Sequence, residues 1–376
     1  MRITDFKLER YFAKYEFTAK YLLSSSDCDG FKLNYILDLA SKDELERWNN
    51  LKLGYTESAG HPLLRESILK NYDLNDIENV VVATPGELNF ISMNVLLNAN
   101  DHVISVAPAY QSLYEVVKSL DCDLSFWKPN EENWQFEVNE LEKLIQKNTK
   151  LLIINFPHNP TGSYLTLSQL EEIVDLARKY DITIFSDEMY HKLVSDGVEE
   201  LPPISDIYEN GISLWGTSKS FGLAGLRIGW LVSQNKKFLD KVVAFKDYLS
   251  ICNSAPSEIL SIIALNNIDH FLNPNIAKIK KNVSYFQEFV KGNQIIDSFI
   301  PPKAGSTSFV KLNIERSSLK FSNQLVKETG IMTVPAEMFE YKGKYIRIGF
   351  GRKNFQEVLS VLDNYLKTYN QHISNK

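Results

Sequence analysis

Cysteine is scarce. The three in 376 residues, Cys28, Cys122 and Cys252, are odd in number and far apart, so neither a disulfide framework nor a CxxC metal site is on offer. A reducing compartment is the simplest setting. No run approaches the ~18 uninterrupted apolar residues of a membrane-crossing helix. Met1 to Lys20 alternates charged and aromatic residues where an export signal would be apolar, so the chain is expected to be cytoplasmic and off the membrane. Basic tracts are missing too. The 41 Lys and Arg are scattered among 47 Asp and Glu, a net charge of −6, and no nucleic-acid face is expected. There is no internal repeat, and no GxGxxG turn follows the first apolar run, which ranks a nicotinamide-dependent dehydrogenase last.

Short apolar runs alternate with helical stretches. Val80–Thr84, His102–Val106, Leu151–Asn155, Ile182–Ser186 and Ile212–Trp215 are β-branched and nearly continuous, as strands covered on both faces are. Between two of them Leu170, Ile173, Val174 and Ala177 share one helical face, and Thr166 with Gln169 makes a capping box. This βαβ order predicts an α/β fold, with a large domain over residues 45–273 built on a mainly parallel sheet covered by helices. After about Pro274 come a long charged helix, a turn at Pro301-Pro302 and an α+β order. Residues 274–376 with 1–44 are therefore expected to form a smaller α+β domain.

Ligands of open α/β sheets bind beyond the carboxyl ends of the strands. Beyond the last run lies Gly216-Thr-Ser-Lys-Ser-Phe-Gly-Leu-Ala-Gly-Leu-Arg227. Its lysine, Lys219, suits a cofactor with an aldehyde at one end and a phosphate at the other: the amine forms a Schiff base while Ser218 and the Arg227 guanidinium take the phosphate. Ser-Lys followed by glycines also makes an ordinary turn, but the other strand ends tip the balance toward pyridoxal phosphate. Asp187, with Glu188 behind it, can hold a pyridine nitrogen protonated, although an Asp here can equally cap a helix. Asn159, in Pro157-His-Asn-Pro-Thr-Gly162, and Tyr190 can donate to the cofactor's phenolic oxygen, and His158 reads as loop scaffolding. Thr84-Pro85-Gly86, before a helix starting near Glu87, offers backbone N–H groups for the phosphate, with Gly86 and Glu87 at the cup. Tyr110 is placed to stack on the ring.

Taken together, Asn159-Pro-Thr-Gly162, Asp187-Glu-x-Tyr190 and Ser218-Lys-x-Phe-Gly-Leu-x-Gly-Leu-Arg-x-Gly229 resemble the class I/II aminotransferases, the fold type I pyridoxal phosphate enzymes. The resemblance implies a seven-stranded-type sheet and amino acid and keto acid substrates. It also implies a homodimer in which Tyr55, in Gly54-Tyr-x-x-x-x-Gly-x-x-x-Leu-Arg65, reaches the partner's phosphate. Arg347, in Tyr345-Ile-Arg-Ile-Gly349, would grip the substrate α-carboxylate beside Asn159; from its strand alone it would face solvent. Three departures stand out. Gly216 occupies a place where a hydroxyl is usual, Glu87 and Leu88 stand where small or hydroxyl residues are usual, and Ala336 replaces a common Pro-Gly pair. The segment from Leu8 to Phe17, together with Leu53-Gly-Tyr-Thr-Glu57, is similar to a branch containing capreomycidine synthase and related enzymes acting on arginine derivatives. That similarity puts Tyr11, Tyr15 or Glu16 near a substrate side chain, against the plainer reading of an amphipathic packing helix. Transamination is the activity expected. Elimination, cyclisation or oxidation of an amino acid such as arginine is the alternative, and a non-catalytic cofactor sensor stands behind both.

Overall fold

The computed structural model of the chain describes residues 2–374. Seven strands form one sheet: β1 (Val80–Ala83), β2 (His102–Val106), β3 (Asp123–Trp127), β4 (Thr149–Asn155), β5 (Thr183–Asp187), β6 (Gly211–Gly216) and β7 (Gly229–Ser233). Their order is β1-β7-β6-β5-β4-β2-β3. Only β7 runs against its neighbours, pairing antiparallel with both β1 and β6. The fold is the expected α/β one, with helices on both faces of a mainly parallel sheet. Five strands lie where the apolar runs fall. β3 and β7 escaped notice for different reasons. β3 is a half-exposed edge, so Asp-Leu-Ser-Phe-Trp reads as mixed, and β7 opens on a glycine, Gly229, that continues the glycine pattern of the loop before it.

A second, antiparallel sheet comprises β8 (Ile296–Ser298), β9 (Thr307–Leu312), β10 (Val334–Pro335) and β11 (Tyr345–Gly349), in the order β10-β11-β9-β8. Tyr21–Leu22 pairs with Ile331–Met332, so the N-terminal segment is laced to this smaller layer. Five helices matter for the site and its support: α1 (Lys7–Tyr15), α2 (Pro85–Leu96), α3 (Leu167–Tyr180), α4 (Ala255–Asn266) and α5 (Asp269–Val290). In α1, Leu8 and Tyr11 sink into a cluster with Trp134, Phe309, Met332 and Phe339. α3 has its capping box in place and ends at Asp181 in the left-handed conformation. Helices Leu33–Asp38 and Lys42–Asn49 pack on α4.

Two helix starts differ from expectation. α2 begins at Pro85, because proline's fixed φ and missing N–H suit a first helical position. α5 begins at Asp269 and runs through Pro274; burial of Phe271, Leu272, Ile279 and Phe286 holds the helix across the lost hydrogen bond. Among the described residues no helix is long and apolar enough to cross a membrane, and no cluster of His, Cys, Asp and Glu could hold a metal ion.

Candidate active site

The carboxyl ends of β1, β2, β4, β5 and β6 open onto one cavity of about 550 Å³, within the range of sites that hold a small ligand. Because β7 is antiparallel, Arg227, which precedes it, reaches the same edge. The sheet register sets Asn155 directly beside Asp187, and the Asn155 side chain ties the ends together. Its Nδ2 donates to Asp187 O at 2.8 Å, and its Oδ1 accepts from Asn159 N at 3.0 Å. The Asn159 loop is thereby fastened to the strand that presents Asp187. Asp187 and Lys219, 32 residues apart in the chain, line the same cavity.

Each side chain arrives with its electrostatics defined. Burial raises the Asp187 carboxyl from 3.8 to about 6, with the Met189 N–H, 3.2 Å away, and the Lys219 charge pulling the other way. Lys219 Nζ donates to Ser26 Oγ at 3.1 Å. The plain reading of Arg347 as a solvent-facing strand residue is wrong, since it is 1% exposed. Its Nε and one terminal nitrogen donate to Ser24 O at 3.0 and 2.8 Å, and the other terminal nitrogen donates to Asn159 Oδ1 at 3.0 Å. Three of the guanidinium's five N–H groups are spent this way, leaving one on each terminal nitrogen. Burial pulls its pKa down, and among the described residues no carboxylate bridges it. A bidentate carboxylate is the partner this fork fits.

Glu16, Gly86, Tyr110, Asn159, Tyr190, Ser218 and Arg227 also line the cavity. Tyr110 OH donates to Glu9 Oε1 at 2.5 Å, and its ring packs on Phe6 with centroids 4.7 Å apart. Two expected residues do not line it. Glu87 is not among the cavity's lining residues; its Oε1 is buried without a hydrogen-bond partner, and its charge acts on the buried Lys246. Tyr55 is 88% exposed, outside its own chain's cavity. Glu188 turns into the protein, accepting from Ile204 N at 2.9 Å and Ser213 Oγ at 3.0 Å, and burial raises it to about 8. His158 is buried against Phe136, with its Nδ1 2.6 Å from Thr161 Oγ1, and burial holds it neutral at about 3. Tyr11 is in the core and Tyr15 bonds Asn323, so of the three N-terminal candidates only Glu16 faces the cavity.

Several lining residues have no signal in the motifs. Glu9, Phe12 and Glu16 repeat at helical spacing on a face of α1 adjoining the one that carries Leu8 and Tyr11, a pattern the sequence does contain. Ser25, Ser26, Asp27 and Asn89 do not announce themselves. Buried Ser25 Oγ and both amide atoms of Asn89 have no hydrogen-bond partner. These orphaned groups, the Lys219 amine, the buried Asp187 carboxyl and the Arg347 fork together fit a phosphorylated aromatic aldehyde with an amino acid beside it.

Comparison with known proteins agrees. The family model "Aminotransferase class I and II" matches residues 18–362. The chain belongs to this family. Its cofactor is pyridoxal phosphate and it is an enzyme of the aminotransferase type. It is 30% identical to an aspartate aminotransferase of Pyrococcus horikoshii, over 79% of this chain and 78% of that protein. It is 25% identical to capreomycidine synthase of Streptomyces vinaceus, over 77% and 75%. A crystal structure of a PLP-dependent aminotransferase from Streptococcus suis superposes with a TM-score of 0.91 at 28% identity, covering 98% of this chain and 99% of that one.

Proposed function

We propose that this enzyme transfers the amino group of an L-amino acid to a keto acid, with Lys219 as both cofactor anchor and general base. The observation that carries the reading is the sharing of one cavity by Lys219, Asp187 and the unbridged fork of Arg347. Bound there, pyridoxal phosphate supplies a cationic ring that spreads the negative charge developing at the substrate Cα. Ser218, Arg227 and the start of α2 hold its phosphate, Asp187 its ring nitrogen, Asn159 and Tyr190 its phenolic oxygen, and Tyr110 one face. Arg347 takes the α-carboxylate in two parallel hydrogen bonds and so fixes the orientation of the Cα–H bond. The amine of Lys219 removes that proton and keeps it inside the cavity until it is returned. Tyr55 completes the phosphate site of a second copy in a homodimer.

The substrate side chain points toward α1. Glu9, Glu16 and Asp27 line that end, and burial together with the charges of Asp27 and Glu9 raises the Glu16 carboxyl, against the pull of Lys219 and of Arg352, which is paired with Asp27 at 2.9 Å. A cationic side chain would relieve this crowding of like charge. That favours basic amino acids as donors, and it is the observation that keeps cyclisation or elimination of an arginine-like substrate as the second reading. The test is a screen of basic, acidic, aromatic and aliphatic amino acids in parallel with Lys219→Ala. Keto acid formation should be greatest with a basic donor, and Lys219→Ala should lose both the visible absorbance of the bound cofactor and turnover. Turnover retained without Lys219 removes the mechanism, and consumption of a donor that needs no keto acid acceptor and leaves no pyridoxamine form of the cofactor, whether ammonia is released or a cyclic amino acid accumulates, selects the second reading.

A further inference from the structure

Asn89 is 2% exposed and lines the cavity, yet neither its Nδ2 nor its Oδ1 has a hydrogen-bond partner. A buried amide in this condition is costly, so its place in the wall calls for a polar ligand. It stands three residues beyond Gly86 on α2, hence on the same helical face, one turn behind the helix start. The other side chains of that first turn offer the phosphate no donor. Thr84 Oγ1 donates to Arg227 O at 3.2 Å, Pro85 has no N–H, and Glu87 carries a carboxylate, which accepts rather than donates. Position 216 cannot carry a hydroxyl either, since a Cβ there would lie 2.9 Å from both Gly229 Cα and Ile228 O.

We propose that Asn89 donates its side-chain N–H to the cofactor's phosphate and takes the place of the side-chain contact missing at Gly216. The assignment rests on the phosphate lying at the start of α2, as proposed above. An amide donor is neutral, so it adds a hydrogen bond to the anion without adding a second cation beside Arg227. An aspartate of the same shape would repel the phosphate.

The experiment titrates cofactor-free wild-type protein, Asn89→Leu and Asn89→Asp with pyridoxal phosphate and, separately, with pyridoxal, which lacks the phosphate. Binding is read from the visible absorbance and the quenching of tryptophan fluorescence, with inorganic phosphate as competitor. Asn89→Leu should weaken pyridoxal phosphate about 10- to 100-fold, Asn89→Asp should weaken it further, and pyridoxal should move less than about twofold in either. Inorganic phosphate should compete less well in both variants. The ratio of the two affinities is taken within one protein, so a variant that folds only in part still reports. Equal loss for both ligands, or no loss, overturns the Asn89 assignment. Wild-type protein that fails to prefer pyridoxal phosphate over pyridoxal would instead overturn the placing of the phosphate at α2.

Discussion

Asp187 is ionised at neutral pH against the pull of its surroundings. Burial raises its carboxyl from 3.8 to about 6, so the cofactor-free fold is favoured by the protonated form. The linked stability is fully present below about pH 4 and is lost as pH rises through about 6. Asp187→Asn removes the charge at nearly constant shape. Without cofactor, the variant should be more stable than wild type by on the order of 3 kcal/mol at pH 8, and the gain should fade toward pH 4. The same variant should bind pyridoxal phosphate less tightly, because an amide cannot hold the ring nitrogen protonated. Thermal unfolding across this range checks the first statement, and a cofactor titration checks the second; a variant no more stable than wild type at pH 8 contradicts the account. At this scale the sequence was most readable where chemistry demands one residue type. Lys219 and Asp187 have few substitutes, whereas Arg347 was legible only through the family resemblance. Asn89, Ser25 and Ser26 lie within ordinary helix and loop sequence, and their value comes from where burial leaves them.

The start of α2 is the element most changed from the family pattern, and packing accounts for the change. The ring of Pro85 lies over the two facing glycines of β6 and β7: a Cβ at Gly229 would come 2.5 Å from Pro85 Cγ, and one at Gly216 would come 3.3 Å from it. Helix, turn and strand pair therefore determine one another. Restoring a hydroxyl by Gly216→Ser should not strengthen cofactor binding. It should lower stability by roughly 1–3 kcal/mol, as overpacking does, measurable as a reduced denaturation midpoint with unchanged or weakened cofactor affinity. A Gly216→Ser protein that binds cofactor more tightly at full stability would contradict this. The strand ends that bear Asn159 and Asp187 were visible because β-branched runs buried on both faces stop abruptly. β3 and β7 were not, since an edge strand and a strand continuing a glycine loop lack that contrast. Gly86 and Glu87 show a related limit of sequence position: two residues adjacent in a helix face directions about 100° apart, and position alone does not tell which one meets the ligand.

At the scale of the molecule, an apolar patch remains on the chain's exterior. Leu53 and Tyr55 lie on one segment and Tyr248, Leu249 and Ile251 on another, all exposed. The segments are held side by side by hydrogen bonds from Ser58 Oγ to Asp247 Oδ1 at 2.7 Å and from Lys246 Nζ to Ser58 O. Such a patch fits burial against a second copy. Leu53→Asp with Tyr248→Asp should shift the protein to monomers in sedimentation or light scattering. On the homodimer proposed above, activity should fall with it, because Tyr55 would then have no neighbouring site to complete; a fully active monomer would refute the shared site. The cavity is likewise a joint product. The large sheet contributes Lys219 and Asp187, the small sheet contributes Arg347, and the N-terminal segment contributes Ser24 to Asp27. Arg347 is aimed by a main-chain carbonyl on one side and by the Asn159 side chain on the other. The two supports can therefore age differently in a lineage: the residue at 24 can drift while its peptide keeps the guanidinium in place, whereas any change at 159 must be answered at 347.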